Sequence, residues 1–176
     1  MQKLPNPRLK ATPRASECFA GVVPARALAA CSTSFIRRRN MQSLESLQRL
    51  CAPLFPGLMG IQLKEASAER VVATMMVRPD LCTTGDSLHG GAIMAFADTL
   101  GAVGTFQNLP EGARTTTIDS TTKFIRGATV GSIVTGECTA FHRGRTTMVW
   151  QTLIKTEAGK LCAVVTQTQL VIPAKE

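Results

Sequence analysis

Two features of the chain combine residue types and spacing that suit chemistry: the triplet His89-Gly90-Gly91 and, nine residues after the histidine, Asp98. Asp98 is the only charge between Gly91 and Phe106, a stretch of apolar or small residues on every helical face. Such a stretch reads as a buried helix. It is too short, with a carboxylate near its middle, for a comfortable membrane span. A lone buried carboxylate is costly unless it is paired, solvated or protonated, and perturbed carboxylates concentrate at functional sites. The glycines let another group approach the backbone closely, and a helix start offers free N–H groups and the positive end of the dipole. The pattern therefore predicts an oxyanion site at Gly90-Gly91 with a carboxylate about two turns further on. By residue type alone, Asp98 better suits a structural carboxylate satisfied by backbone or by hydroxyls such as Thr99.

The elements that must position these groups follow from periodicity. Leu44, Leu47 and Leu50 recur at helical spacing behind Ser43, a helix opening, and stop near Pro53 and Pro56. Ile61 to Glu65 and Arg70 to Pro79 read as two strands joined at Ala66-Ser67-Ala68-Glu69. A polar loop, Asp80 to Leu88, leads into the apolar helix, which Leu109-Pro110-Glu111-Gly112 ends. Four strands follow: Thr115 to Ile125, Gly131 to Phe141, Arg145 to Thr156 and Leu161 to Ile172. Trp150 shares a strand face with Met148, Thr152 and Ile154, which suits the core or an interface. The sequence order predicts an α+β domain, an antiparallel sheet wrapped around one long buried helix. A single sheet has edges, and pairing them across a two-fold axis is a common remedy, so a homodimer at least is expected.

Composition narrows the function classes. The chain has 176 residues, 44% of them apolar, and a net charge of +8. Residues 1–40 hold eight Lys/Arg and one acid, Glu17, which leaves twelve basic and eleven acidic side chains to the rest. The body lacks a basic stripe with interleaved aromatics, so it is not read as a nucleic-acid binder. The basic segment over 1–40 is broken by Pro5, Pro7, Pro13 and Pro24 and ends in Arg37-Arg38-Arg39. It reads as a disordered tail outside the folded domain at 41–176. It is either transit-peptide-like, which would direct the chain to a mitochondrion or plastid, or a gene-model extension ahead of a start at Met41. Six scattered cysteines without a CxxC pair, and two histidines, predict no metal site and a reducing, cytoplasmic compartment.

At His89-Gly90-Gly91 with Ala97-Asp98-Thr99, the chain resembles the hotdog-fold acyl-CoA thioesterases of the phenylacetate-pathway and human thioesterase-superfamily type, relatives of 4-hydroxybenzoyl-CoA thioesterase. The resemblance runs from about Gly57 to Ile172. It includes Thr115-Thr116-Thr117-Ile118-Asp119, Phe124-Ile125-Arg126 and the basic turn His142-Arg143-Gly144-Arg145-Thr146. It implies hydrolysis of acyl-CoA to free acid and coenzyme A, with no metal or redox cofactor, in a homodimer or homotetramer with sites at the subunit interface. By the same resemblance the Gly90 N–H, beside Gly91, polarises the thioester carbonyl. Asp98 is the base for water or the nucleophile, and Thr117 orients the water. The His-Gly-Gly helix start and this resemblance together shift the reading of Asp98 from structure to catalysis. His89 supports the loop, and Arg143 and Arg145 lie near the coenzyme A phosphates. Thr83 stands where these enzymes usually carry asparagine, and Gly127 where they carry proline.

Other readings fare worse. Gly85-Asp86-Ser87-Leu88-His89 resembles a nucleophile elbow, but His89 replaces its last glycine and only His142 follows as a histidine partner. Asp86 and His89 are too close for a hotdog hydratase pattern. A non-catalytic acyl-CoA-binding module of the same fold would not need Asp98.

Overall fold

The computed structural model describes residues 41–175; the tail expected over 1–40 lies outside the described residues. Helix α1 (Leu44–Cys51) opens where the Ser43 hydroxyl accepts the Ser46 N–H at 3.2 Å. Its Gln48 amide donates to Ile61 O at 3.1 Å and accepts the Leu63 N–H at 2.8 Å. That closes the outer edge of the first strand, which would otherwise be open. A short helix α2 (Phe55–Leu58) then stands where the prolines read as stops. Pro56 lies in its first turn, where the missing N–H breaks no helical bond.

Strands β1 (Gln62–Ala66) and β2 (Arg70–Met76) form the expected hairpin. A single 3-10 turn (Pro79–Leu81) leads to a tiny hairpin of β3 (Cys82–Thr83) and β4 (Ser87–Leu88), which the polar loop conceals in the sequence. Helix α3 (Gly90–Phe106) follows, then β5 (Arg114–Phe124), β6 (Ile133–Arg143), β7 (Thr147–Thr156) and β8 (Leu161–Ile172). Gly131 and Arg145, expected at strand starts, belong to turns instead: Gly131 has a φ of 82°, and Gly144 N–H bonds Thr147 O at 2.9 Å. The six long strands pair antiparallel in the order β1-β2-β6-β7-β8-β5. Side chains alternate as a half-buried sheet requires; Met148, Trp150, Thr152 and Ile154 all point into the core.

Helix α3 lies on one face of this sheet. Gly101 and Gly104 make the contact possible: a Cβ at Gly104 would stand 2.7 Å from the Trp150 ring. The Trp150 indole N–H donates to the Thr105 hydroxyl at 2.8 Å, so its one polar group is satisfied in the core. The sheet covers only one side of the helix. Met94 is 40% exposed, and Ala95, Asp98, Thr99, Ala102 and Phe106 are half-buried. The expectation of burial on every face therefore fails on one stripe, and Asp98 lies on that stripe. No helix among the described residues is long and apolar enough to cross a membrane.

Candidate active site

Asp98 is not lone. Its Oδ1 accepts the Thr117 hydroxyl of β5 at 2.7 Å and the Gln167 carboxamide of β8 at 3.2 Å; Gln167 also lies 3.3 Å from the Asp98 carbonyl. An ionised carboxylate only accepts, so Thr117 must be the donor. The Thr117 oxygen accepts in turn from Gln169 Nε2 at 2.7 Å, and Gln169 Oε1 lies 3.0 Å from the Thr115 hydroxyl. Thr115, Gln169, Thr117 and Asp98 thus form one donor-to-acceptor series, in which each bond polarises the next. Gln167 and Gln169 are fully buried. Gly101, three residues after Asp98, makes room for Gln167: a Cβ there would stand 2.5 Å from its carboxamide.

An apolar groove of about 360 Å³ lies between α3 and the α1–α2 segment, with Asp98 in its lining. Leu47, Leu50, Cys51, Phe55 and Pro56 form one wall; Ala95, Thr99, Ala102, Val103 and Phe106 form the other. Burial raises the Cys51 thiol above its ordinary pKa.

The helix start is built separately. His89 is the N-cap of α3, and its Nδ1 accepts the Gly91 N–H at 2.8 Å. The ring therefore carries its neutral-form proton on Nε2. The Gly90 N–H, at the first helical position, has no partner among the described residues. A second recess of about 430 Å³ is lined by His89, Gly91, Cys82, Arg78 and Asp80 among others, and Gly90 itself lines another of about 360 Å³ with Leu88, Phe124 and Arg126. Thr83 is exposed in the small hairpin and pairs with Ser87.

The fold thus brings Asp98 and Thr117 together and keeps the other expected site residues apart from them. Gly90 and Asp98 are eight residues apart on one helix, about 12 Å along its axis. Arg143 occupies the same cross-strand row as Met148, Gln169 and Thr117, three strands away, or about 14 Å. Its guanidinium bonds Glu69 at 3.0 Å and Ala68 O at 3.3 Å. Arg145 is exposed in the following turn with no partner among the described residues.

A family model described as the thioesterase superfamily matches residues 85–163, the span that holds His89, Asp98 and Thr117. A Haemophilus influenzae relative is 33% identical over 130 residues, covering 74% of this chain and 94% of its own. The chain belongs to the thioesterase superfamily. It is a thioester hydrolase; its relatives carry thioesterase, CoA-hydrolase or esterase names. A crystal structure of a thioesterase from Haemophilus influenzae superposes with a TM-score of 0.73 at 32% identity, covering 78% of this chain and 96% of that one. The 1,4-dihydroxy-2-naphthoyl-CoA hydrolase of Escherichia coli is 28% identical over 120 residues, 68% of this chain and 88% of that protein.

In this thioesterase, sequence reasoning missed Gln167, Gln169 and the wall supplied by α1 and α2. The glutamines had one signal. They sit at buried positions of a strand whose alternation is otherwise apolar, and a buried carboxamide needs a partner. The groove had a weaker one, the apolar residues Leu50, Leu54, Phe55 and Leu58 of a segment too short to bury them all.

Proposed function

We propose that the enzyme hydrolyses acyl-CoA thioesters to a free acid and coenzyme A at sites shared between two copies of the chain. The carrying observation is the separation just described. A reacting carbonyl must lie about 3 Å from both the carboxylate and the oxyanion donor. Within one chain, Asp98 and the Gly90 N–H are about 12 Å apart, so a second copy supplies the helix start. The edge of β5 fits that pairing: it is the open end of the sheet, and Ile118 and Phe124 on it are exposed.

The chemistry follows. The Gly90 N–H of one copy holds the thioester oxygen as it gains charge. Asp98 of the other takes a proton from water, whose oxygen adds to the carbonyl carbon, or attacks that carbon itself. The C–S bond then breaks, and coenzyme A leaves as a thiolate that takes up the proton. Direct attack adds a second step, in which water hydrolyses the mixed anhydride. Thr117, its own proton committed to Asp98, offers the water a remaining lone pair. Arg143 and Arg145 are the phosphate contacts in this reading. The pantetheine arm separates the thiol of coenzyme A from its phosphates, and the separation of about 14 Å between the Arg143 and Thr117 positions fits that role. The E. coli naphthoyl-CoA hydrolase supports a coenzyme A substrate by its name. The unpaired cysteines among the described residues suit a reducing, cytoplasmic setting.

A mixed-subunit assay tests the shared site. Gly90→Pro deletes the N–H at the first helical position, where proline is common; its Cβ would stand 3.1 Å from the exposed Phe124 ring, which must give slightly. Each of Gly90→Pro and Asp98→Asn alone is expected to be inactive. Co-refolded in equal amounts, the two should recover about a quarter of the wild-type rate, because half the dimers then hold one intact site. No recovery from dimers shown to be mixed would overturn the shared site.

A further inference from the structure

We infer that the groove between α1–α2 and α3 selects a straight, uncharged, medium-chain acyl group of about eight to ten carbons, the small side chain of Ala102 letting the chain pass midway to the Phe106 end. The inference rests on the reading of Asp98 as the residue beside the thioester carbonyl.

The α3 stripe from Asp98 through Ala102 to Phe106 covers about 12 Å of helix axis. An extended hydrocarbon, with bonds of ~1.5 Å at ~111°, advances about 1.25 Å per carbon, so nine or ten carbons fill that distance. Helix α1 runs antiparallel to α3. Gln42, just before α1, bonds the Gln107 side chain, just after α3, through its N–H at 2.9 Å and its carbonyl at 3.0 Å. Phe55, beyond the other end of α1, lines the same recess as Ala92 and Gly91 near the start of α3. The groove is therefore a lengthwise trough, with Phe55 near its start and Leu47 and Phe106 toward its end.

The lining also sets polarity. Beyond Asp98 the only hydroxyls lining it among the described residues are those of Thr99 and Thr115. Thr99 donates to Ala95 O at 2.9 Å, and Thr115 lies 3.0 Å from both Gln169 Oε1 and Leu170 O. No hydroxyl proton is left for a charged or hydroxylated acyl group, and leaving such a group unpaired there is costly. Leu50 and Phe55 on the rim are 53% and 58% exposed, apolar side chains placed where an incoming chain would cover them.

S-alkyl-coenzyme A thioethers, which cannot be hydrolysed, provide the probe. Their binding to the full chain is measured by calorimetry from butyl to hexadecyl, with phenethyl alongside. Octyl should bind at least about ten-fold tighter than butyl, with no further gain beyond decyl. Ala102→Leu, with Ala102→Val as a milder variant, should move the break to about four to six carbons. Affinity independent of chain length would overturn the inference. So would a break that the Ala102 variants leave in place, or phenethyl binding tighter than octyl. Free-thiol release from the matching acyl-CoAs separates the two claims. The expected length profile without turnover would sink the acyl-CoA hydrolase reading and keep the groove. Turnover without a length profile would do the reverse.

Discussion

The Thr117 hydroxyl and the Asp98 carboxylate meet at 2.7 Å across the gap between β5 and α3, and the same Thr117 oxygen is held by Gln169 at 2.7 Å. A hydrogen bond to a charged group contributes about 1.5–3 kcal/mol. Thr117→Val should therefore lower kcat about ten- to hundred-fold while leaving the fold intact, and Thr117→Ser should keep most of the rate. Steady-state kinetics on one acyl-CoA would check it. A Thr117→Val enzyme at full rate would remove Thr117 from the site.

Gly101 carries a different expectation. A Cβ there would meet the Gln167 carboxamide at 2.5 Å, inside a packed layer. Overpacking of this kind costs about 1–3 kcal/mol. Gly101→Ala should lower the urea midpoint and also kcat, because the displaced Gln167 releases Asp98. Gln167→Leu, which leaves the glycine alone, should lower kcat as well.

His89 acts on the helix, so its variants should separate structure from chemistry. Losing a side-chain cap costs about 0.5–2 kcal/mol. His89→Ala should lose stability of that order in chemical denaturation, and His89→Asn, which can cap, should recover it with activity. A stable His89→Asn enzyme without activity would instead give His89 a part in proton transfer.

Cys138 is buried on β6, and desolvation pushes its thiol up to about 12 from an ordinary 9.0. At pH 8 only about one molecule in ten thousand carries the thiolate. Alkylation of the native protein should mark Cys51 and Cys82, both half-buried, before Cys138. The folded-state pKa is raised, so the stability held by the protonated thiol is fully present below about pH 9. It is lost as the pH climbs toward 12. Cys138→Val should flatten that alkaline loss.

Much of the fold is legible because its signals are local. Ser43 opens α1, strand alternation places Trp150 in the core, and the uninterrupted apolar run marks α3 as the helix the sheet must cover. Helix α2 is hidden because a proline inside a first turn looks the same as a proline that stops a helix. At the candidate site, Asp98 stands out by residue type and spacing, and Thr117, which meets it at 2.7 Å, by family resemblance. Gln167 and Gln169 do not, because their role depends on β8 lying beside β5, a pairing across some fifty residues of chain. The open stripe on α3 is equally non-local: composition says that the helix is apolar, and only the sheet's position says which face stays free.

The most direct test of the account is free-thiol release from octanoyl-CoA by the wild-type chain and by Asp98→Asn. If Asp98 is the catalytic carboxylate, kcat falls by about 10²–10⁴ in the variant while thermal stability and binding of the alkyl-CoA thioether are kept. A folded Asp98→Asn enzyme that releases thiol at the wild-type rate would contradict it.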